Sequence, residues 1–178
     1  MAQPSLLLKF GWLSRRCGLA CAALAVAIGA AAAPAQPRIA FAGGHWAAID
    51  FGGRCEARSR PLWFRPKTEP YAGFAFDRSG RPHGQFYVHL ARATRSGSSV
   101  IATIGDQPFL LASNGQWAWS ANGAQQQAIL KAARYGQQMR IDSRDAGGRR
   151  IVDRYDLSGA ATAIDAAAAA CAGKIEAR

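Results

Sequence analysis

Residues 84–91 read GQFYVHLA. Phe86, Val88 and Leu90 alternate with Gln85, Tyr87 and His89, so a strand here turns one apolar face inward and one polar-edged face outward. Working outward, Ser96-Gly97-Ser98 and Gly105-Asp106-Gln107 are turn sequences, and strands are expected at 99–104 and 108–113. On the N-terminal side strands are expected at 45–50, 54–59 and 72–76, separated by Gly52-Gly53 and by a segment whose Pro61, Pro66 and Pro70 exclude regular structure. Thirteen of the Phe, Trp and Tyr residues fall between Phe41 and Trp119, which places the sheet there. Short strands at this spacing predict an antiparallel meander. Trp117 and Trp119, alternating around Ala118, are expected in its core.

Beyond Trp119 the period changes. Asn122 followed by Gln125 has the form of a capping box, and Ile129, Ala132, Ala133 and Gly136 mark the apolar stripe and the stop of a helix. Residues 138–144 alternate again, with Met139 and Ile141 on one side and Arg140, Asp142 and Arg144 on the other. A Gly turn and a return strand at 149–156 complete a hairpin. Ser158 is expected to cap a last, Ala-rich helix with Leu157, Ala161, Ile164, Ala168 and Cys171 on its buried stripe. The fold class expected is α+β: an antiparallel, β-rich, sandwich-like domain with two helices flanking a C-terminal β-hairpin.

The chain begins as an export signal. Lys9, Arg15 and Arg16 precede an apolar run that ends in Ala33-Pro34-Ala35, a small-x-small cleavage pattern. Cleavage is expected after Ala35, with cleavage after Ala33 as the alternative. The run is short for a retained membrane anchor. General secretion is preferred to the twin-arginine route, because Gly18 stands where that signal carries a bulky apolar residue. The domain map is then 1–35 signal peptide, 36–44 flexible lead-in, 45–173 a single β-rich domain and 174–178 tail. The mature chain keeps 143 of 178 residues, all 11 acidic and 19 of the 22 basic ones, a formal net charge of +8. It also keeps two of the four cysteines, Cys55 and Cys171, an even pair in an oxidising compartment, and these are expected to form a disulfide.

Residues 129–171 read ILKAARYGQQMRIDSRDAGGRRIVDRYDLSGAATAIDAAAAAC. A short helix, a Gly, an alternating strand, a Gly turn, a return strand and Leu-Ser-Gly into an Ala-rich helix follow one another. This block resembles the closing part of the invasion-associated locus B family of exported bacterial proteins. A Trp strand before an early Cys, Trp46 to Cys55, is a further point of similarity. The resemblance implies a β-rich exported domain with an interaction role. It transfers no catalytic residue, and the absence of further cysteines between Cys55 and Cys171 departs from the family's pattern.

The chemistry legible in the residues is that of binding. No Gly-x-Ser-x-Gly elbow is present, and neither Cys-x-x-Cys nor a helical His pair offers a metal site; no cofactor is expected. His45, His83 and His89 read as surface or partly buried side chains, and a His-dependent hydrolase is the least favoured function. Asp153 and Asp156 are expected on a solvated strand face, salt-bridged to neighbouring arginines. Two basic groups stand out as candidate anion-binding residues. Arg54, Arg58, Arg60, Arg65 and Lys67 surround Trp63 and Phe64, candidate aromatic contacts; Arg140, Arg144, Arg149, Arg150 and Arg154 belong to the hairpin. The leading expectation is a non-enzymatic envelope or secreted protein, periplasmic first, that engages a protein partner. The alternative is a module for an anionic envelope component such as lipid phosphate or a cell-wall polymer. Export makes nucleic acid an unexpected partner.

Overall fold

The computed structural model describes residues 36–65, 67–79 and 83–172. The export segment and the tail lie outside the described residues. In chain order the first five strands are β1 (Arg38–Gly43), β2 (Trp46–Asp50), β3 (Arg54–Ser59), β4 (Tyr71–Asp77) and β5 (His83–His89). There follow β6 (Val100–Ile104), β7 (Gln107–Asn114), β8 (Trp117–Trp119), helix α1 (Gly123–Tyr135), the hairpin β9 (Gln138–Arg144) and β10 (Arg150–Asp156), and helix α2 (Ala160–Cys171). The fold is α+β and β-rich, with every strand pair antiparallel and spatial order β1-β2-β3-β4-β5-β8-β7-β6-β9-β10. No described helix is long and apolar enough to cross a membrane.

The meander runs unbroken from β1 to β5 and again from β6 to β8. β8, not β6, lies beside β5, pairing Tyr87 with Trp119 and His89 with Trp117. β7 makes the corner of the sandwich. Its residues 107–111 pair with β6, and its residues 112–114 pair with β8, so one strand passes from one layer to the other. The inner faces meet in a single core. Trp46, Cys55, Phe74, Phe86 and Val88 come from one layer, Val100, Met139, Ile141 and Tyr155 from the other, and Ile129 and Ile164 from the helices.

The two ends of the sheet touch. Trp46 Nε1 donates to the Asp156 carbonyl at 2.9 Å, and the His45 amide donates to the Ser158 carbonyl at 3.0 Å. This seam needs glycine. Gly159 sits at φ +88°, and a Cβ there would lie 2.2 Å from the Gly43 carbonyl oxygen.

Several local expectations are corrected. The lead-in at 36–44 contains β1, because residues 38–43 find paired backbone along β2. Ser158 does not cap α2: its carbonyl is taken by His45, and left-handed Gly159 holds the N-cap position without a side-chain bond. The buried stripe of α2 is Ala160, Ala163, Ile164, Ala167 and Cys171, one position away from Ala161 and Ala168. Gly136 ends α1 with φ −77°, so its small size matters more than left-handed freedom. A Cβ there would meet Ile104 Cγ2 at 2.8 Å. The Asn122 cap stands: its Oδ1 accepts from the Gln125 amide at 2.9 Å. The disulfide joins Cys55 on β3 to Cys171 at the end of α2, and both residues are buried.

Candidate functional site

The strand period sorts the predicted arginines. Arg54, Glu56 and Arg58 are alternate residues of β3 and share its outer face. Glu56 is only 2% exposed. Its carboxylate accepts from Arg54 Nε at 2.6 Å, from Arg58 Nε, and from the Tyr87 hydroxyl at 2.5 Å. Tyr87 lies two strands away. It reaches Glu56 because Gly73 stands between them in register with Arg58 and Tyr87, and a Cβ on Gly73 would sit 2.8 Å from the Tyr87 oxygen. Burial first, and then the neighbouring carboxylate, push the Tyr87 hydroxyl far above its usual range, so it stays a donor. The Arg58 guanidinium also lies 4.6 Å from the Tyr71 ring centre. Arg54 and Arg58, expected as anion ligands, share the single Glu56 carboxylate inside the protein.

Around this knot the outer face is aromatic. Tyr71 stacks on His89 at 5.2 Å, and Trp117 packs 4.7 Å from His89. Trp117 and Trp119 therefore do not enter the core. Ala118 points inward, and Trp117 remains 43% exposed. His89 Nδ1 lies 3.0 Å from the Glu69 carbonyl oxygen. His45 Nε2 approaches Asp156 Oδ2 at 3.8 Å, and the His83 ring packs edge-on against Phe76. None of the three imidazoles bonds a hydroxyl side chain among the described residues.

The hairpin arginines divide similarly. Arg140 faces Arg154, and Arg144 faces Arg150, directly across β9 and β10. Asp142, between them, relieves the repulsion: it accepts from Arg140 Nε at 2.7 Å and from Arg150 Nη2 at 2.5 Å. Arg140, Arg144 and Arg150 line an open depression of about 560 Å³ around it. Arg154 turns toward the opposite end of that face, and Arg149 stays near Asp145 at 3.5 Å.

What remains is a junction between distant segments. Arg60 lies 5.7 Å from the Phe64 ring, and Trp63 beside it is 86% exposed. The Leu62 amide donates to the Arg154 carbonyl at 2.7 Å, which lays this loop along the free edge of β10. Trp63, Phe64 and Arg65 thereby line a cavity of about 250 Å³ together with Arg149 and Arg150 of the hairpin. Arg92, from the β5–β6 connection, lines it too; no motif marked that residue. Arg65 and Arg92 form no ion pair among the described residues. Lys67 is exposed in the same loop, away from the cavity lining.

No protein-family model, curated protein or solved structure matches this chain. The site therefore rests on its own geometry.

The cavity holds one further group. Asp153 lines it, yet shares the inner face of β10 with Tyr155, opposite in parity to Arg150 and Arg154. The expectation of a solvated, salt-bridged Asp153 is thus overturned by strand alternation. Asp153 is 6% exposed, and its Oδ2 has no hydrogen-bond partner among the described residues. Burial raises its pKa to about 6. Folded and unfolded chains then differ most between about pH 4 and 6, where only the native carboxyl holds its proton. Stability from this group falls as pH rises through that window. The cost at neutral pH is on the order of 2–3 kcal/mol. The stability gap between wild type and Asp153→Asn in urea melts should therefore shift by roughly that amount between pH 4 and pH 7. A gap that does not change with pH would remove the ionised Asp153 from the account.

Proposed function

We propose that this protein is an exported, non-enzymatic binding protein of the bacterial envelope that engages an anionic envelope component at the junction of the 60–70 loop and the β9–β10 hairpin. The interaction role agrees with what the resemblance to the invasion-associated locus B family implies. The observation that carries the reading is the division of the arginines. Arg54 and Arg58 are bound to Glu56, and Arg140 and Arg150 to Asp142, whereas Arg65 and Arg92 form no ion pair among the described residues and lie together beside an exposed tryptophan. Arginine beside an aromatic surface suits a phosphate or carboxylate group carried on a partly apolar ligand. Export supplies the setting, and the Cys55–Cys171 disulfide supports it, because such bridges persist in oxidising compartments.

Binding to lipopolysaccharide and to phosphatidylglycerol vesicles tests this. Affinity should fall as salt is raised from about 50 to 500 mM, because the charges involved are solvent-exposed. Arg65→Glu with Arg92→Glu should weaken binding roughly tenfold or more, whereas Arg154→Glu should do far less. Salt-independent binding, or equal loss in both variants, would overturn the assignment of this surface.

A further inference from the structure

The cavity beneath Trp63 carries both signs of charge, and this narrows what it can hold. Arg65 and Arg92, which form no ion pair among the described residues, lie at its lining with Arg149 and Arg150, which are paired with Asp145 and Asp142. Asp153, more than nine-tenths buried, supplies a carboxylate whose Oδ2 has no donor among the described residues. A buried polar oxygen without a partner is costly, so native structures rarely leave one without a reason. A simple anion would satisfy the guanidinium groups but face Asp153. A simple cation would satisfy Asp153 but face the arginines. The volume, about 250 Å³, lies below the range of pockets for drug-sized ligands and fits a small head group.

We propose that this cavity binds a phosphate–ammonium zwitterion of the phosphoethanolamine type, with the phosphate at the arginines and the ammonium between Asp153 and the aromatic rings of Trp63 and Phe64. The ammonium meets the Asp153 carboxylate from the cavity side and gains a cation–π contact with indole. The phosphate takes paired N–H donors from guanidinium forks. Whether singly or doubly esterified, the phosphate presents at least two anionic oxygens and so can meet more than one guanidinium fork. The assignment deepens the anion-binding reading and rests on it. The same chemistry occurs as a lipid head group and as a substituent on glycans.

The test uses the mature chain with its disulfide intact and three soluble probes: O-phosphoethanolamine, inorganic phosphate and ethanolamine. By calorimetry, O-phosphoethanolamine should bind at least about tenfold more tightly than phosphate, and ethanolamine weakest. Asp153→Asn should reduce that preference to within about twofold and raise the affinity for inorganic phosphate, since the substitution removes both the ammonium's counter-charge and the carboxylate that opposes a simple anion. Arg92→Glu should lose both phosphate-bearing probes. Equal affinity of wild type for phosphate and phosphoethanolamine, or a preference that survives in Asp153→Asn, overturns the proposal. So does an absence of phosphoethanolamine binding. In each of those cases salt-sensitive binding to phosphatidylglycerol vesicles would leave the broader anionic reading standing. A second arm separates the sources: binding to phosphatidylethanolamine vesicles over pure phosphatidylcholine assigns a lipid head group. Binding of the soluble probe without that vesicle preference assigns a glycan-borne or free one.

Discussion

Removing the Cys55–Cys171 disulfide should lower the melting temperature by roughly 10–20 °C, the largest effect expected of any change in this chain. The bridge spans a sequence separation of 116 residues. By loop-closure entropy, a cross-link of that span removes on the order of 4–5 kcal/mol of freedom from the unfolded chain. The native side makes α2 especially dependent on it. The buried face of α2 is Ala160, Ala163, Ile164, Ala167 and Cys171, so apart from the cysteine only Ile164 contributes a large apolar side chain. Methyl groups remove little area from water, at about 25 cal/mol per Å². Small side chains let the helix lie close on β2 and β3, but they do not hold it strongly. The measurement compares oxidised wild type, reduced wild type and Cys55→Ala/Cys171→Ala by circular dichroism melts. A fall below about 3 °C in both reduced and double-alanine forms would contradict this account of α2.

The sequence reveals the strands wherever alternation is long and strong. In β5 the residues Phe86 and Val88 face the core and Tyr87 and His89 face out, as the period demands, and β9 divides Met139 and Ile141 from Arg140 and Asp142 in the same way. β8 offers only Trp117, Ala118 and Trp119, too short a run for a period to mark it. Its side-chain directions follow from pairing with β5, which is a long-range fact. β1 carries few large apolar side chains and is mostly exposed, so its strand character also comes from a neighbour. The order of strands after β5 depends on β7 changing partners midway, which no local pattern announces.

The site divides along the same line. Composition marks the arginines as a group. Which of them are already paired depends on register: Arg58, Gly73 and Tyr87 lie side by side on three strands although 15 to 29 positions separate Arg58 from the others. One local signal was available. Arg54, Glu56 and Arg58 at alternate positions of a strand must share a face, and opposite charges on one face pair. Asp153 was misread because the arginines adjacent in sequence are on the other side of the strand. Arg92 lies in a connection with no periodicity, and only the fold brings it to the hairpin.

Glu56→Ala should destabilise the protein by about 3–4 kcal/mol in urea denaturation, the second large effect. The carboxylate is the common acceptor for Arg54, Arg58 and Tyr87. Its loss leaves the buried Tyr87 hydroxyl without its acceptor, and two guanidinium groups face each other with no anion between them. Arg54 is half exposed and can turn to water, which keeps the cost below that of a fully buried pair. Glu56→Gln keeps the shape and one acceptor oxygen but no charge, and should cost about half as much. The decisive comparison is the triple change Glu56→Met/Arg58→Met/Tyr87→Phe. It removes the central acceptor together with its two more buried donors, so most of the loss should return even though more polar contacts have been deleted. If the losses instead accumulated with each group removed, the network would be a sum of independent favourable bonds. Recovery in the triple variant would show that the cost lies in stranding its members. That distinction bears on function as well. A network that is costly to break is a poor place for an outside anion to compete, which leaves Arg65 and Arg92, without an ion pair among the described residues, as the place on which binding experiments should concentrate.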